Sequence, residues 1–170
     1  ILTFCPDRPF SDVADMNESM IESWRQGVGR KDRVFVLGDL AYKSRSENHV
    51  PIEELASRLT GQIHVILGNH DLENGIHKMD CWASVQHYLE LKLDKKRRFV
   101  MSHYPFETWR NAQHGWIMLH GHNHGTLKRV IPHRFDVGVD ATKVYHPLPL
   151  EHFFQLASGQ QFDPQDHHGE

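Results

Sequence analysis

Ile63-His64-Val65-Ile66-Leu67-Gly68-Asn69-His70-Asp71 is an apolar run that stops at a glycine and turns polar at once. The run is too short for a helix and rich in β-branched side chains, so it predicts a buried strand. The glycine allows a sharp turn or a close backbone approach where the strand ends. An amide, an imidazole and a carboxylate then follow at one end of that strand.

The same pattern recurs on either side. Val34-Phe35-Val36-Leu37 runs into Gly38-Asp39, Phe99-Val100-Met101 into Ser102-His103, and Trp116 to Leu119 into His120-Gly121-His122-Asn123-His124-Gly125. Taken singly, each motif has an ordinary reading. Gly-Asp is common turn chemistry, and a lone histidine is usually a surface or satisfied core residue. His122 and His124 carry more, because alternate residues on an extended segment point to the same side. Jointly, four metal-competent motifs at four strand ends predict one shared site, since ligands of open α/β sheets bind beyond the carboxyl ends of the strands.

The rest of the chain supplies the frame. Residues 11–26 read as a helix with Ser11 as N-cap and Val13, Met16, Met20, Ile21 and Trp24 on its inner face. Residues 51–60 read as a second helix, with Pro51 at its first position and Gly61 beyond its end. Tyr88 to Leu93 and Phe99 to Ser102 bracket Asp94-Lys95-Lys96-Arg97-Arg98, which suggests a hairpin. Thr126 to Ile131 and Phe135 to Val139 are further predicted strands, and Leu150 to Ala157 a last helix. Strand–helix–strand order early and hairpins later predict an α/β sandwich containing a mixed sheet. The 170 residues suit one domain, assigned to residues 1–157, with a polar and flexible tail over 158–170.

Composition narrows the class. With 39% hydrophobic and 24% charged residues the chain reads as globular, and a net charge of -3 advertises no nucleic-acid field. No apolar stretch reaches the roughly 20 residues needed to cross a membrane, and Ile1-Leu2-Thr3-Phe4-Cys5-Pro6 does not read as a signal peptide. Cys5 and Cys81 form neither a metal pair nor a disulfide framework, so they are read as reduced thiols in or near the core of a cytoplasmic protein. Fifteen histidines give the chain an ample stock of imidazole ligands.

Gly-Asp, Gly-Asn-His-Asp, a lone histidine and Gly-His-x-His, in this order, resemble the calcineurin-like metallophosphoesterases. The resemblance spans roughly Ile1 to Phe154, and Arg134-Phe135-Asp136-Val137-Gly138-Val139-Asp140 is similar to the small bacterial and phage members. It implies two packed mixed β-sheets flanked by helices. It also implies that Asp39 bridges two metal ions, that Asn69, His103 and His122 hold one of them, and that His124 contributes to the other. His70 would face the substrate as general acid, oriented by Asp71. An oxygen and imidazole shell suits Mn²⁺, with Fe, Zn²⁺, Co²⁺ or Ni²⁺ as alternatives, better than Ca²⁺ or Mg²⁺. Two such ions about 3.5–4 Å apart can generate hydroxide and clamp phosphate oxygens during in-line displacement. The implied substrate is a phosphate ester, preferably a phosphodiester such as a nucleotide.

The chain departs from the family in one place. Members begin with a strand ending in Asp-x-His, which completes the second metal's shell. Here Ile1 stands just past where that motif would end, and Asp166-His167-His168 lies in the polar tail. The favoured expectation is a segment ahead of Ile1 in the working protein. Two further readings stay open: a nuclease of the same family, and a metal-binding module that engages a partner without catalysis. Arg45 and Tyr104 are candidate substrate contacts, Arg45 through its phosphate-matching fork and Tyr104 by its place beside His103. His64, inside a strand, is read as structural.

Overall fold

The computed structural model describes residues 1–41 and 50–161. Helix α1 spans Val13–Gly27. Its N-cap is Asp12 rather than Ser11: the Asp12 carboxylate accepts from the Asp15 N–H at 2.8 Å, while Ser11 hydrogen-bonds to the Asp15 side chain. Both pairings satisfy groups that a helix N-terminus leaves open. Met16 and Ile21 are buried, whereas Val13 lies on the exposed side. Trp24 donates its indole N–H to the Thr60 carbonyl at 2.9 Å. That bond joins α1 to the end of helix α2, which runs Ile52–Ser57 and is shorter than its apolar spacing predicts, with Pro51 as its N-cap.

Among the described residues seven strands form two sheets. β1 (Arg33–Val36), β2 (Gln62–Ile66) and β3 (Ser84–Gln86) pair in that order, all parallel. The second sheet has the order β4 (Tyr88–Lys92), β5 (Arg98–Ser102), β6 (Ile117–His120), β7 (Arg134–Asp136). In it the β4–β5 hairpin is antiparallel and the other two pairings are parallel, so this sheet is the mixed one. In the hairpin turn the Asp94 carboxylate accepts from the Lys96 and Arg97 N–H groups, which gives the charged turn its shape. Helices α3 (Val139–Thr142) and α4 (Leu150–Ser158) close the chain.

Between the sheets lies the main core. Ile66, Phe99, Met101, Ile117 and Leu119 pack with Phe153 and Ala157 of α4. Each such large side chain contributes about 1.5–3 kcal/mol through burial. On the outer face Val100, Trp109, Trp116 and Met118 form a second buried cluster. Among the described residues no helix is long and apolar enough to cross a membrane.

Several sequence expectations need correction. Residues 126–131 are not a strand, because β7 already takes the edge of β6, pairing Met118 with Arg134. Residues 126–130 are exposed, Val130 at 82%, and Ile131 turns into the cluster around Trp116. The strand expected from Phe135 to Val139 ends at Asp136, and Val139 starts α3 instead. Neither cysteine belongs to the core: Cys81 is exposed and Cys5 half-buried.

His64 behaves as a structural histidine. It stacks on Phe35 with ring centroids 5.0 Å apart, and its Nδ1 lies 2.8 Å from the Ser84 hydroxyl. Its Nε2 is buried and meets no partner among the described residues. Burial, with help from Arg33, pushes its pKa below the ordinary 6.5. The folded chain therefore binds a proton less readily than the unfolded one. Its stabilisation is complete above the unfolded value and is lost as pH falls through 6.5 toward the depressed folded value. Acidification should therefore lower the urea midpoint of the wild type more than that of His64→Gln. Parallel losses in the two proteins would contradict this.

Candidate metal centre

Four strand ends converge as their sequences require. β1 leads to Gly38-Asp39, β2 to Gly68-Asn69-His70-Asp71, β5 to His103, and β6 to Gly121-His122. The β1 and β2 loops touch backbone to backbone. A Cβ on Gly38 would sit 2.7 Å from the Gly68 nitrogen and would overlap the His103 ring, and one on Gly68 would overlap the Asp39 carboxylate. Only glycine lets these two loops close to that distance.

Asp71 holds the loops together. It is fully buried, and its carboxylate accepts from the N–H groups of Asp39 (2.8 Å), Leu40 (3.1 Å) and Gly68 (2.8 Å). The sequence expects Asp71 to orient His70; the structure adds a role the sequence did not predict, in which its oxygens are bonded to backbone of both loops. His70 is tied in through its own backbone, which donates to Asp39 Oδ1 at 2.9 Å.

That bond leaves Asp39 Oδ2 facing His103, 3.3 Å from Nε2. His103 is 1% exposed, and its Nδ1 lies 2.8 Å from the Leu37 carbonyl. A carbonyl only accepts, so Nδ1 carries the proton and the neutral ring has its lone pair on Nε2. Around Nε2 stand Asn69 Oδ1 at 3.0 Å and His122 Nδ1 at 3.2 Å, with Asn69 Oδ1 and His122 Nδ1 themselves 3.1 Å apart. Four electron-pair donors thus crowd together, an arrangement that repels itself unless a proton or a cation sits among them. Ligand atoms at about 2.0–2.2 Å from one ion stand roughly 2.8–3.6 Å apart, so the spacing fits a small divalent ion. Asp39, His103 and His122 satisfy the distances of a metal-binding group.

The electrostatics agree with that crowding. Burial opposes charge on His103, but the Asp39 hydrogen bond and the Leu37 carbonyl prevail and raise its pKa. Burial likewise opposes charge on Asp39, and His103 and the His70 N–H overcome it and lower the pKa. Burial, then the neighbouring His103, lowers that of His122. Two of these residues also sit on left-handed backbone, Asp39 at φ 54° and His122 at 69°, as does His124 at 50°. Such strain gathers where function fixes geometry.

His124 stands apart from this group. Its Nδ1 lies 2.6 Å from Asp140 Oδ2, in a cluster that includes Cys5. Asp140 also receives the fork of Arg8, with Nε at 2.8 Å and Nη2 at 2.7 Å. Arg8, and then the His124 hydrogen bond, hold the Asp140 carboxyl far below the usual range. The sequence reading assigned no role to Cys5, Arg8 or Asp140. Asp140 ends the stretch that resembles the small family members, but its contacts with Arg8 and Cys5 join residues 132 and 135 positions apart.

Tyr104 is 46% exposed and meets the His122 and His103 rings edge-on, at centroid distances of 4.7 and 5.0 Å. Arg45 and Asp166-His167-His168 lie outside the described residues.

Comparison with known proteins adds the lineage. The sequence profile of the calcineurin-like phosphoesterases matches residues 10–157. An uncharacterized protein of Methanocaldococcus jannaschii is 31% identical over 161 residues, covering 92% of this chain and 82% of its own. The gene 66 protein of Mycobacterium phage D29 is 28% identical, covering 85% of this chain and 84% of its own. Among solved structures, a protein of unknown function from Aquifex aeolicus superposes with a TM-score of 0.67 at 18% identity, over 91% of this chain and 90% of that one.

Proposed function

Since the chain belongs to the calcineurin-like phosphoesterase family, we propose that it hydrolyses a phosphodiester at the strand-end site, with His70 as the acid that protonates the leaving oxygen. The observation that carries this reading is the crowding of Asp39 Oδ2, Asn69 Oδ1, His103 Nε2 and His122 Nδ1 at 3.0–3.3 Å. These four would hold one divalent ion, while Asp39 together with His124 would serve a second, Mn²⁺ being the first choice for both. Bound there, such ions supply Lewis-acid charge for the phosphoryl oxygens and for water activation.

The residues themselves position and neutralise, which is most of what phosphoryl transfer asks of a protein. The His70 N–H and the buried Asp71 fix Asp39 from two sides. The Leu37 carbonyl fixes the ring of His103 and its tautomer. Tyr104 offers an exposed ring beside His122 for the ester's organic group, and Arg45 a guanidinium for its phosphate.

Turnover of bis-p-nitrophenyl phosphate tests the reading. Protein stripped with a chelator should be inactive and should regain activity with Mn²⁺. Binding of Mn²⁺ without turnover of any phosphate ester would instead support the non-catalytic module. The nuclease reading is weaker, because a net charge of -3 advertises no basic groove and Arg97 of the hairpin is engaged with Asp94 at 2.7 Å and with Glu151 at 3.2 Å. Salt-sensitive release of nucleotides from single-stranded DNA would revive it.

A further inference from the structure

We propose that Asp140, gripped by Arg8, is a positioning residue for His124, accepting a hydrogen bond from Nδ1–H and so presenting Nε2 as that ring's ligating nitrogen. The proposal rests on the reading that His124 serves a metal ion, and it adds the residues that aim it.

The hydrogen-bond inventory forces the assignment. An ionised carboxylate accepts and cannot donate. Asp140 Oδ2 lies 2.6 Å from His124 Nδ1, so Nδ1 is the donor. A neutral imidazole has one N–H, and its lone pair is then on Nε2, across the ring from Asp140. The carboxylate is itself immobile. Arg8 Nε holds Oδ1 at 2.8 Å and Arg8 Nη2 holds Oδ2 at 2.7 Å. Both side chains are 8% exposed, whereas that of His124 is 49% exposed. A buried and rigid acceptor therefore aims a ring that solvent would otherwise leave free.

The backbone supports the same contact. His124 lies at φ 50°, and the following Gly125 is packed so closely that a Cβ there would meet Ala141 Cα at 3.1 Å. Ala141 follows Asp140 in α3, so α3 is docked on the His124 turn. Cys5, His124 and Asp140 also have the distances of a metal-binding trio. A cation there would have to displace a guanidinium from both carboxylate oxygens and a proton from Nδ1. The trio is therefore the support of a ligand rather than a site of its own. Such hydrogen-bonded carboxylates commonly set the tautomer and orientation of ligating histidines.

Long-range ¹H–¹⁵N spectra of the histidine rings, at about pH 8 and during titration with Zn²⁺, test this. Wild-type His124 should carry its proton on Nδ1 before and after Zn²⁺, with the metal-induced shift on Nε2. In Asp140→Asn both tautomers should appear, and the Zn²⁺ response of His124 should weaken about 10- to 100-fold, while His103 and His122 respond as in the wild type. Cys5→Ala should change neither ring. A proton on Nε2 of His124, a His124 that ignores Zn²⁺, or loss of its response in Cys5→Ala would each overturn the proposal. Silence of His103 and His122 toward Zn²⁺ would instead sink the proposed metal centre itself. If Asp140→Asn fails to fold because Arg8 loses its partner, the wild-type tautomer and the Cys5→Ala titration still decide.

Discussion

His70→Ala should slow hydrolysis by about 100- to 10,000-fold, the usual contribution of a positioned general acid, and should leave the metal content unchanged. The separation follows from geometry. His70 bonds Asp39 Oδ1 through its backbone N–H at 2.9 Å, whereas the acid role is proposed for its ring. Alanine keeps the N–H and removes only the ring. The loss should also depend on the leaving group. A p-nitrophenolate leaves without much help, so the mutant should approach the small end of the range on a p-nitrophenyl ester. An alkyl alcohol needs the proton, so the same mutant should approach the large end on an alkyl ester. Parallel rate measurements on the two esters, with metal determined by mass spectrometry, check this. Equal losses on both esters, or undiminished turnover, would remove His70 from the role of acid.

The neighbouring residue should fail in a different way. Asp71→Ala should destabilise the fold by about 4 kcal/mol, because it strands three N–H groups that one fully buried carboxylate serves. For a chain of this size that corresponds to roughly 10 °C in melting temperature. Asp71→Asn keeps one accepting oxygen and should cost about half as much, since one N–H would then face an amide donor. Calorimetry on the three proteins gives the comparison. An Asp71→Ala protein that melts with the wild type would mean that the β1 and β2 loops are held by something else. Activity should fall as well, but through displacement of Asp39, so added Mn²⁺ should recover part of it.

The contrast between His70 and Asp71 also marks how far the sequence could be read. The four strand ends were legible because apolar runs ending in glycine and polar residues are a local pattern. The same locality gave Asp39, Asn69, His103 and His122, whose polar atoms the fold gathers around His103 Nε2. The role of Asp71 was not legible. Two of its three partners are backbone groups 31 and 32 residues away, and backbone N–H groups leave no trace in a sequence. Adjacency to His70 suggested an orienting role, whereas the bonds to the β1 loop depend on how the two loops meet in the fold. Arg8 and Asp140 escaped for a related reason. Each is an unremarkable charge on its own, and only the docking of α3 against the segment before α1 makes them a pair. The overturned strand at 126–131 had adequate propensity, but β7 holds the place beside β6, a competition among segments that no single segment can reveal.

The left-handed backbone at Asp39, His122 and His124 has an evolutionary corollary. Among residues with a side chain, those that enter that conformation most readily are asparagine, aspartate and histidine, and these are also hard-oxygen and imidazole donors. At these three positions, drift is screened twice, once by the conformation and once by the ligand chemistry, and both screens pass nearly the same short alphabet. A lineage that lost the metal would therefore keep residues resembling ligands at 39, 122 and 124 for conformational reasons alone. The better indicators of a working centre in relatives are His103, just past the end of β5 and not on left-handed backbone, and Asp140, whose carboxylate the local conformation does not demand.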